Sequence, residues 1–309
     1  MTVPLRENDL LSEFDRRHKA GLIFYDSNPQ IQLEAVNGFQ FELVVTAAIS
    51  KKPYIKDNGD EPSAANPAAK RPPGYALGSD IDVSGYEIGD VTATHLLAFN
   101  KFCMYRPHML LLTKDGFRRQ YNQLDVEDIQ AAWKVLEALN WSHFMFFNCG
   151  KDGGCSRLHK HLQLAPFLPD RLIPWPESGK QPANIPYEYV LRRFDADLGP
   201  KQVADVYEQM IEEARAILGT QNSSDRHVPH NVVLGRNWIL VIPRRKGGVG
   251  GAYANALGML GMVSVASKDE LQCWIDQGLS EVVAQLGVPK RVMAHDGMKN
   301  GFTQHGRLD

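Results

Sequence analysis

Residues 148–164 read Asn-Cys-Gly-Lys-Asp-Gly-Gly-Cys-Ser-Arg-Leu-His-Lys-His-Leu-Gln-Leu, which sets two imidazoles and an amide at 159, 161 and 163 behind a glycine-rich loop. An imidazole near its reference pKa of about 6.5 is partly neutral at neutral pH and competent to attack phosphorus. Gln163 carries both a donor and an acceptor, so it can bind phosphoryl oxygens without adding charge. Gly150, Gly153 and Gly154 lack Cβ atoms, and the N–H groups of such a loop can crowd an anion. Ser156 adds a hydroxyl, while Lys151 and Arg157 add positive charge. A period of two from Leu158 to Leu164 puts His159, His161, Gln163 and Ala165 on one face and Leu158, Leu162 and Leu164 on the other. Lys160 falls on the apolar side, where snorkelling would carry its ammonium to water.

The same two histidines also fit zinc ligation or purely structural roles. Zinc needs further ligands, and neither a C-x-x-C nor an H-E-x-x-H motif accompanies them. Spacing alone leaves the three readings open.

The surrounding elements must position this stretch. Alternation from Gly38 to Ala48 puts Phe39, Phe41, Leu43 and Val45 on one side of a strand. Further strands are expected at Pro107–Thr113 and His143–Asn148, and a hairpin joins Asn231–Gly235 to Trp238–Pro243 around Arg236 and Asn237. Helical spacing predicts a helix over Val126–Asn140 with Asp125 as N-cap, and a second over Gln202–Leu218. A third opens with the capping-box pattern of Ser267 to Glu270 and continues to Leu286. Proline-rich stretches at Pro53–Gly74 and Pro166–Pro186 read as long loops. Strands come in clusters with helices between them, which favours α+β with an antiparallel sheet. The chain is read as one catalytic unit, with 1–190 carrying the nucleophile and 191–309 completing the fold.

The 309 residues suffice for a large core. A formal net charge of -2 supplies no basic field for nucleic acid or anionic membrane, so any anion must be held locally. Cys103, Cys149, Cys155 and Cys273 are scattered, as reduced thiols of a cytosolic protein would be. The first residues lack an apolar export segment, and no run approaches the ~18 apolar residues of a spanning helix. A cytoplasmic protein without membrane or nucleic-acid partners is expected.

His159-Lys160-His161-Leu162-Gln163, preceded by Asn148 and by Gly153-Gly154-Cys155-Ser156, resembles the diadenosine tetraphosphate phosphorylases, or ATP adenylyltransferases. These form a branch of the histidine-triad superfamily shared with galactose-1-phosphate uridylyltransferase, in which glutamine replaces the third histidine. The resemblance extends to Lys51-Lys52-Pro53, to Asn100-Lys101-Phe102 with the following Arg106–Thr113 segment, and to Asn255–Met262. It implies a histidine-triad-like antiparallel sheet with flanking helices. It implies His161 as the nucleophile that takes AMP, with His159 and Gln163 beside it. Substrate contacts are implied for Lys52, Asn100, Lys101, Asn148, Gly154, Cys155, Ser156, Arg157, Gln163, Asn255, Ala256, Leu257 and Met262. The family's C-terminal lysine has its nearest counterpart at Lys268, offset in position. Phosphorolysis of the dinucleotide to ATP and ADP, and its reversal, would need no tightly bound cofactor, with magnesium entering only on the polyphosphate. Uridylyltransferases usually carry proline between the two histidines and often zinc-binding cysteines, from which Lys160 and the unpaired cysteines depart. The alternatives are uridylyl exchange on a hexose phosphate and, from another class, a nucleotide sensor without turnover.

Overall fold

Strands buried on both faces read as unbroken apolar runs, and His143–Cys149, His230–Gly235 and Trp238–Pro243 are buried along their whole length. They lie inside an eight-stranded sheet ordered Val190–Arg193, Trp238–Pro243, His230–Gly235, His143–Cys149, His161–Pro166, Met109–Thr113, His95–Phe99, Glu87–Asp90. Every neighbouring pair in it is antiparallel. The α+β expectation holds. The computed structural model describes residues 5–50, 76–180, 182, 184–194, 198–221 and 227–290.

One face of the sheet packs against the helices Glu7–Lys19, Val126–Ala138 and Pro200–Leu218, through Phe14, Ile129, Val135, Tyr207 and Met210 among others. The other face carries Phe144, Phe146, Ala165, Val233, Leu240 and Ile242. It is covered by a three-stranded sheet, in which Phe39–Val45 pairs antiparallel with Gln30–Val36 and parallel with Met262–Val265. The position expected as the boundary of the two parts, residue 190, begins a strand of the large sheet, which takes strands from both sides of it.

Asp125 caps its helix as expected, accepting from the N–H groups of Glu127 and Asp128 at 3.0 Å each. The helix expected to run on to Leu286 is instead two, Lys268–Gln277 and Leu279–Leu286. Gly278 between them has φ 82°, a left-handed conformation open to glycine that breaks the hydrogen-bond ladder. The helix Glu7–Lys19 was not anticipated, because it buries only Leu10 and Phe14. The loop expected at Pro53–Gly74 lies outside the described residues. No helix among the described residues is long and apolar enough to cross a membrane.

Candidate active site

The regular strand begins at His161, where Leu112 stands opposite it and Leu110 stands opposite Gln163. The imidazole of His161 turns Nδ1 back onto the His159 carbonyl at 2.8 Å. A carbonyl only accepts, so Nδ1 carries the proton and Nε2 carries the lone pair. The tautomer that a nucleophile needs is thus set by its own strand. Gln120, buried in a loop, clips the backbone of that residue on both sides. Its Oε1 accepts from the His161 N–H at 2.7 Å, and its Nε2 donates to the carbonyls of His161 and Asn148, each at 3.0 Å. One amide therefore ties the His161 strand to the end of the His143–Cys149 strand.

His159 does not line up with His161 as the alternation implied. The backbone just before His161 pairs instead with Arg118–Gln120 through an antiparallel bridge, and the Asp80 carboxylate accepts from the N–H groups of Leu158 and His159 at 2.9 Å each. The His159 ring is buried, with Nδ1 at 2.7 Å from Ser79 Oγ and Nε2 at 2.9 Å from the Thr113 carbonyl. Burial pushes its pKa down, which favours a neutral ring. Lys160 does not snorkel. Its side chain is fully buried, donating to the Gln123 carbonyl at 2.6 Å and pairing with buried Asp128, whose other oxygen lies 3.0 Å from His95 Nε2.

Gln163 meets a third histidine. His108 Nε2 lies 3.1 Å from Gln163 Oε1, so the ring donates to the amide oxygen. Asn100 packs its Nδ2 within 3.4 Å of both His108 ring nitrogens and accepts from the Phe102 N–H through Oδ1. The ammonium of Lys101 sits over the rings of Phe24 and Tyr86. Lys52 lies outside the described residues.

Asn148 stands on the same face as Gln163, two residues beyond Phe146, which pairs with Gln163. Its Oδ1 accepts from Asn231 Nδ2 at 2.9 Å and from the Ala256 N–H at 2.8 Å. Asn255 caps the turn Ala256–Met259, accepting from the N–H groups of Leu257 and Gly258. Ala256, Leu257 and Met262 are buried against the same face. These residues wall the site, although the side-chain oxygens of Asn148 and Asn255 are taken by protein donors.

The glycine loop differs from its expected use. A Cβ on Gly153 would overlap the Cys149 carbonyl, and one on Gly154 the Ala254 carbonyl. Gly154 also has φ +81°, which side chains rarely adopt. The N–H groups of Gly154 and Cys155 close the turn onto Lys151 and Gly150 carbonyls. These glycines let the loop pack on protein backbone, and the residues that follow, Ser156 and Arg157, are half-buried. Gln120, His108, Asn231 and Arg244 carry the arrangement and were not singled out from sequence as site residues. Asn231 had a signal, being a polar residue on an inward position of an apolar strand.

The Ap4A phosphorylase N-terminal domain matches residues 30–178, and the ATP adenylyltransferase C-terminal domain matches residues 183–289. The chain belongs to the Ap4A phosphorylase and ATP adenylyltransferase family. Within this family of nucleotidyltransferases, it is 24% identical over 269 residues to diadenosine 5',5'''-P1,P4-tetraphosphate phosphorylase 2 of Saccharomyces cerevisiae, covering 75% of this chain and 78% of that one. Protein APA1 of the same yeast is also 24% identical, over 62% of this chain and 68% of its own. The solved structure of yeast Ap4A phosphorylase Apa2 has the same fold, with a TM-score of 0.71 at 19% identity over 92% of this chain and 97% of that chain. Its complex with Ap4A gives a TM-score of 0.69 over the same shares. The Ap4A phosphorylase fold thus carries the large sheet and the His161 strand in this chain. The boundary between the two domain matches falls between 178 and 183, inside the proline-rich loop.

Proposed function

We propose that the protein is a diadenosine tetraphosphate phosphorylase that works by double displacement on His161. The observation that carries the reading is the His161 ring, whose Nδ1 is bound to the His159 carbonyl so that Nε2 bears the lone pair. Family membership and the solved structures of yeast Apa2 in complex with AMP and with Ap4A support a nucleotide substrate. In the first step Nε2 attacks an α-phosphorus. The P–N bond forms as the P–O bond to ATP breaks, and AMP stays on the imidazole. In the second, an oxygen of inorganic phosphate attacks the same phosphorus, the P–N bond breaks, and ADP leaves. The reverse sequence joins ATP and ADP. Charge spreads over the phosphoryl oxygens during each step and is stabilised by the Gln163 NH2, a role that the His108 contact with the amide oxygen supports. Asn148, the Gly154–Arg157 loop and Asn255–Met262 form the nucleotide wall, with Lys52, Asn100 and Lys101 as further contacts. Magnesium belongs to the polyphosphate rather than to the protein, since both ring nitrogens of His159 are engaged by Ser79 and Thr113.

Withholding phosphate strands the reaction halfway. Rapid quench into alkali after mixing with diadenosine tetraphosphate is expected to show one added AMP by intact mass, located on His161 by fragmentation. Added phosphate discharges it as ADP. An adduct on a cysteine or on His159, or its absence under rapid quench, overturns the reading. A UDP-hexose donor in place of the dinucleotide is expected to leave no adduct. Dialysis against a strong chelator, with magnesium then restored, is expected to leave turnover intact; loss of stoichiometric zinc together with activity would contradict it.

Gln163→Ala is expected to lower kcat on the order of 10²–10³-fold with a smaller change in KM, because its donor acts where charge develops. Steady-state kinetics decide: a raised KM with kcat unchanged makes Gln163 a binding residue only.

A further inference from the structure

On the face that carries His161, the ends of the next three strands hold Asn148, Asn231 and Arg244 in succession. Arg244 is fully buried, and its partners are neutral: the carbonyls of Leu286, Gly153, Lys246 and Ala254 and the Oδ1 of Asn231, the last at 2.6 Å. Burial pulls its pKa down to about 9, which leaves it cationic at neutral pH. Asn231 accepts from this cation and donates Nδ2 to Asn148 Oδ1 at 2.9 Å and to the Gly153 carbonyl at 2.6 Å. The acceptor and donor ends of both amides are therefore assigned by their partners. Asn148 Oδ1 faces Asn231 and the Ala256 N–H. Its NH2 is the end these partners leave over, and the strand on the flank away from Asn231 is that of His161.

We propose that Arg244 and Asn231 are positioning residues for nucleotidyl transfer, acting through Asn148 to fix and polarise an amide donor toward the phosphoryl group at His161. The proposal rests on the reading of His161 as the site of transfer. A charge-assisted bond to Asn231 Oδ1 makes the Asn231 NH2 a better donor, and the effect passes on to the Asn148 NH2. The same contacts tie the glycine loop at Gly153 and the turn at Ala254 to one cation, so the relay sets both walls of the site together.

Asn231→Asp is the informative change. The new carboxylate still accepts from Arg244, and it compensates that buried charge. It can no longer donate to Asn148 or to the Gly153 carbonyl, so the Asn148 amide must turn its NH2 inward to satisfy it. The expected result is a fall in kcat of about 10²-fold, the size of one lost transition-state donor, with KM changed less than about threefold and a folded protein of lower thermal stability, since the Gly153 carbonyl loses its donor. Asn148→Ala is expected to cost as much, and the double variant no more than Asn148→Ala alone, since both act through one group. Should Asn231→Asp fail to fold, Asn148→Asp serves: it keeps both acceptor contacts of Asn148 and loses the donor, with the same expected loss in kcat. Wild-type kcat in either foldable variant, or multiplicative losses in the double variant, overturns the relay. The phosphate-free adduct separates the two readings. A wild-type protein that forms no AMP adduct on His161 refutes the reading of the site itself, whereas adduct formation at the wild-type rate in Asn231→Asp refutes the relay alone.

Discussion

His161→Ala is expected to abolish phosphorolysis, with a loss of at least about 10⁴-fold in kcat and no AMP adduct. Without Nε2, phosphate must displace ATP directly, and only binding and charge stabilisation by the remaining groups are left. His159→Ala is expected to behave differently in kind. Its carbonyl, the atom that orients the nucleophile, survives the substitution, while its ring contacts with Ser79 and Thr113 are lost. The variant should keep the adduct and a measurable fraction of turnover, and lose stability. Single-turnover quench of the two variants beside the wild type checks both statements. Near-normal turnover in His161→Ala, or an adduct lost in a well-folded His159→Ala, ends this division of labour.

Lys160→Ala is expected to be among the most destabilising single changes in the chain, costing about 3–5 kcal/mol. The ammonium is buried against Asp128, and removing it leaves a buried carboxylate with His95, the helix cap and, at 4.0 Å, the Arg118 guanidinium. Burial by itself would raise the Asp128 pKa, but the His95 contact and the Lys160 charge hold it below the ordinary carboxylate value. A carboxyl lowered in the folded state contributes stability that is complete above its unfolded value of about 3.9 and drains as pH falls through the folded one. The deficit of the variant should therefore begin to shrink as acid protonates the stranded carboxyl, at a higher pH than that at which the wild-type carboxyl titrates. Replacing both members, Lys160→Met with Asp128→Leu, is expected to recover most of the loss, because no charge is then stranded. Urea unfolding of the three variants is the measurement, and a Lys160→Ala midpoint within error of the wild type refutes the account.

The strands and long helices were legible because apolar spacing and caps are local signals, as at Asp125 and along Trp238–Pro243. The motif itself was legible too, and His161 and Gln163 do share a face next to Asn148. What surrounds them was not. Gln120 acts on backbone groups 28 and 41 residues away, and nothing in the composition of its loop marks it. The glycines of the loop read as an anion cradle because a sequence shows a missing Cβ without showing what approaches it; here that is the backbone of Cys149 and Ala254. Lys160 was misplaced in water because its partner, Asp128, comes from a helix 32 residues earlier and reads in sequence as part of an N-cap. Strand alternation also placed His159 with His161, since the pairing of the preceding backbone with Arg118–Gln120 has no sequence signature.

The order of strands in the large sheet has a consequence for how the chain is made. The all-buried strand His143–Cys149 is flanked on one side by His161–Pro166 and on the other by His230–Gly235. A nascent chain that has emerged only through the His161 motif can pair the first side, but its second edge stays open until some seventy further residues have been synthesised. That edge is a row of unpaired N–H and C=O groups on a largely apolar strand, the kind of surface that recruits other strands. Phe39–Val45 waits longer still for its parallel partner at Met262–Val265. The nucleophile is therefore synthesised well before the sheet that holds it can close, and a gene cut near residue 190 would yield a sticky half rather than a smaller enzyme.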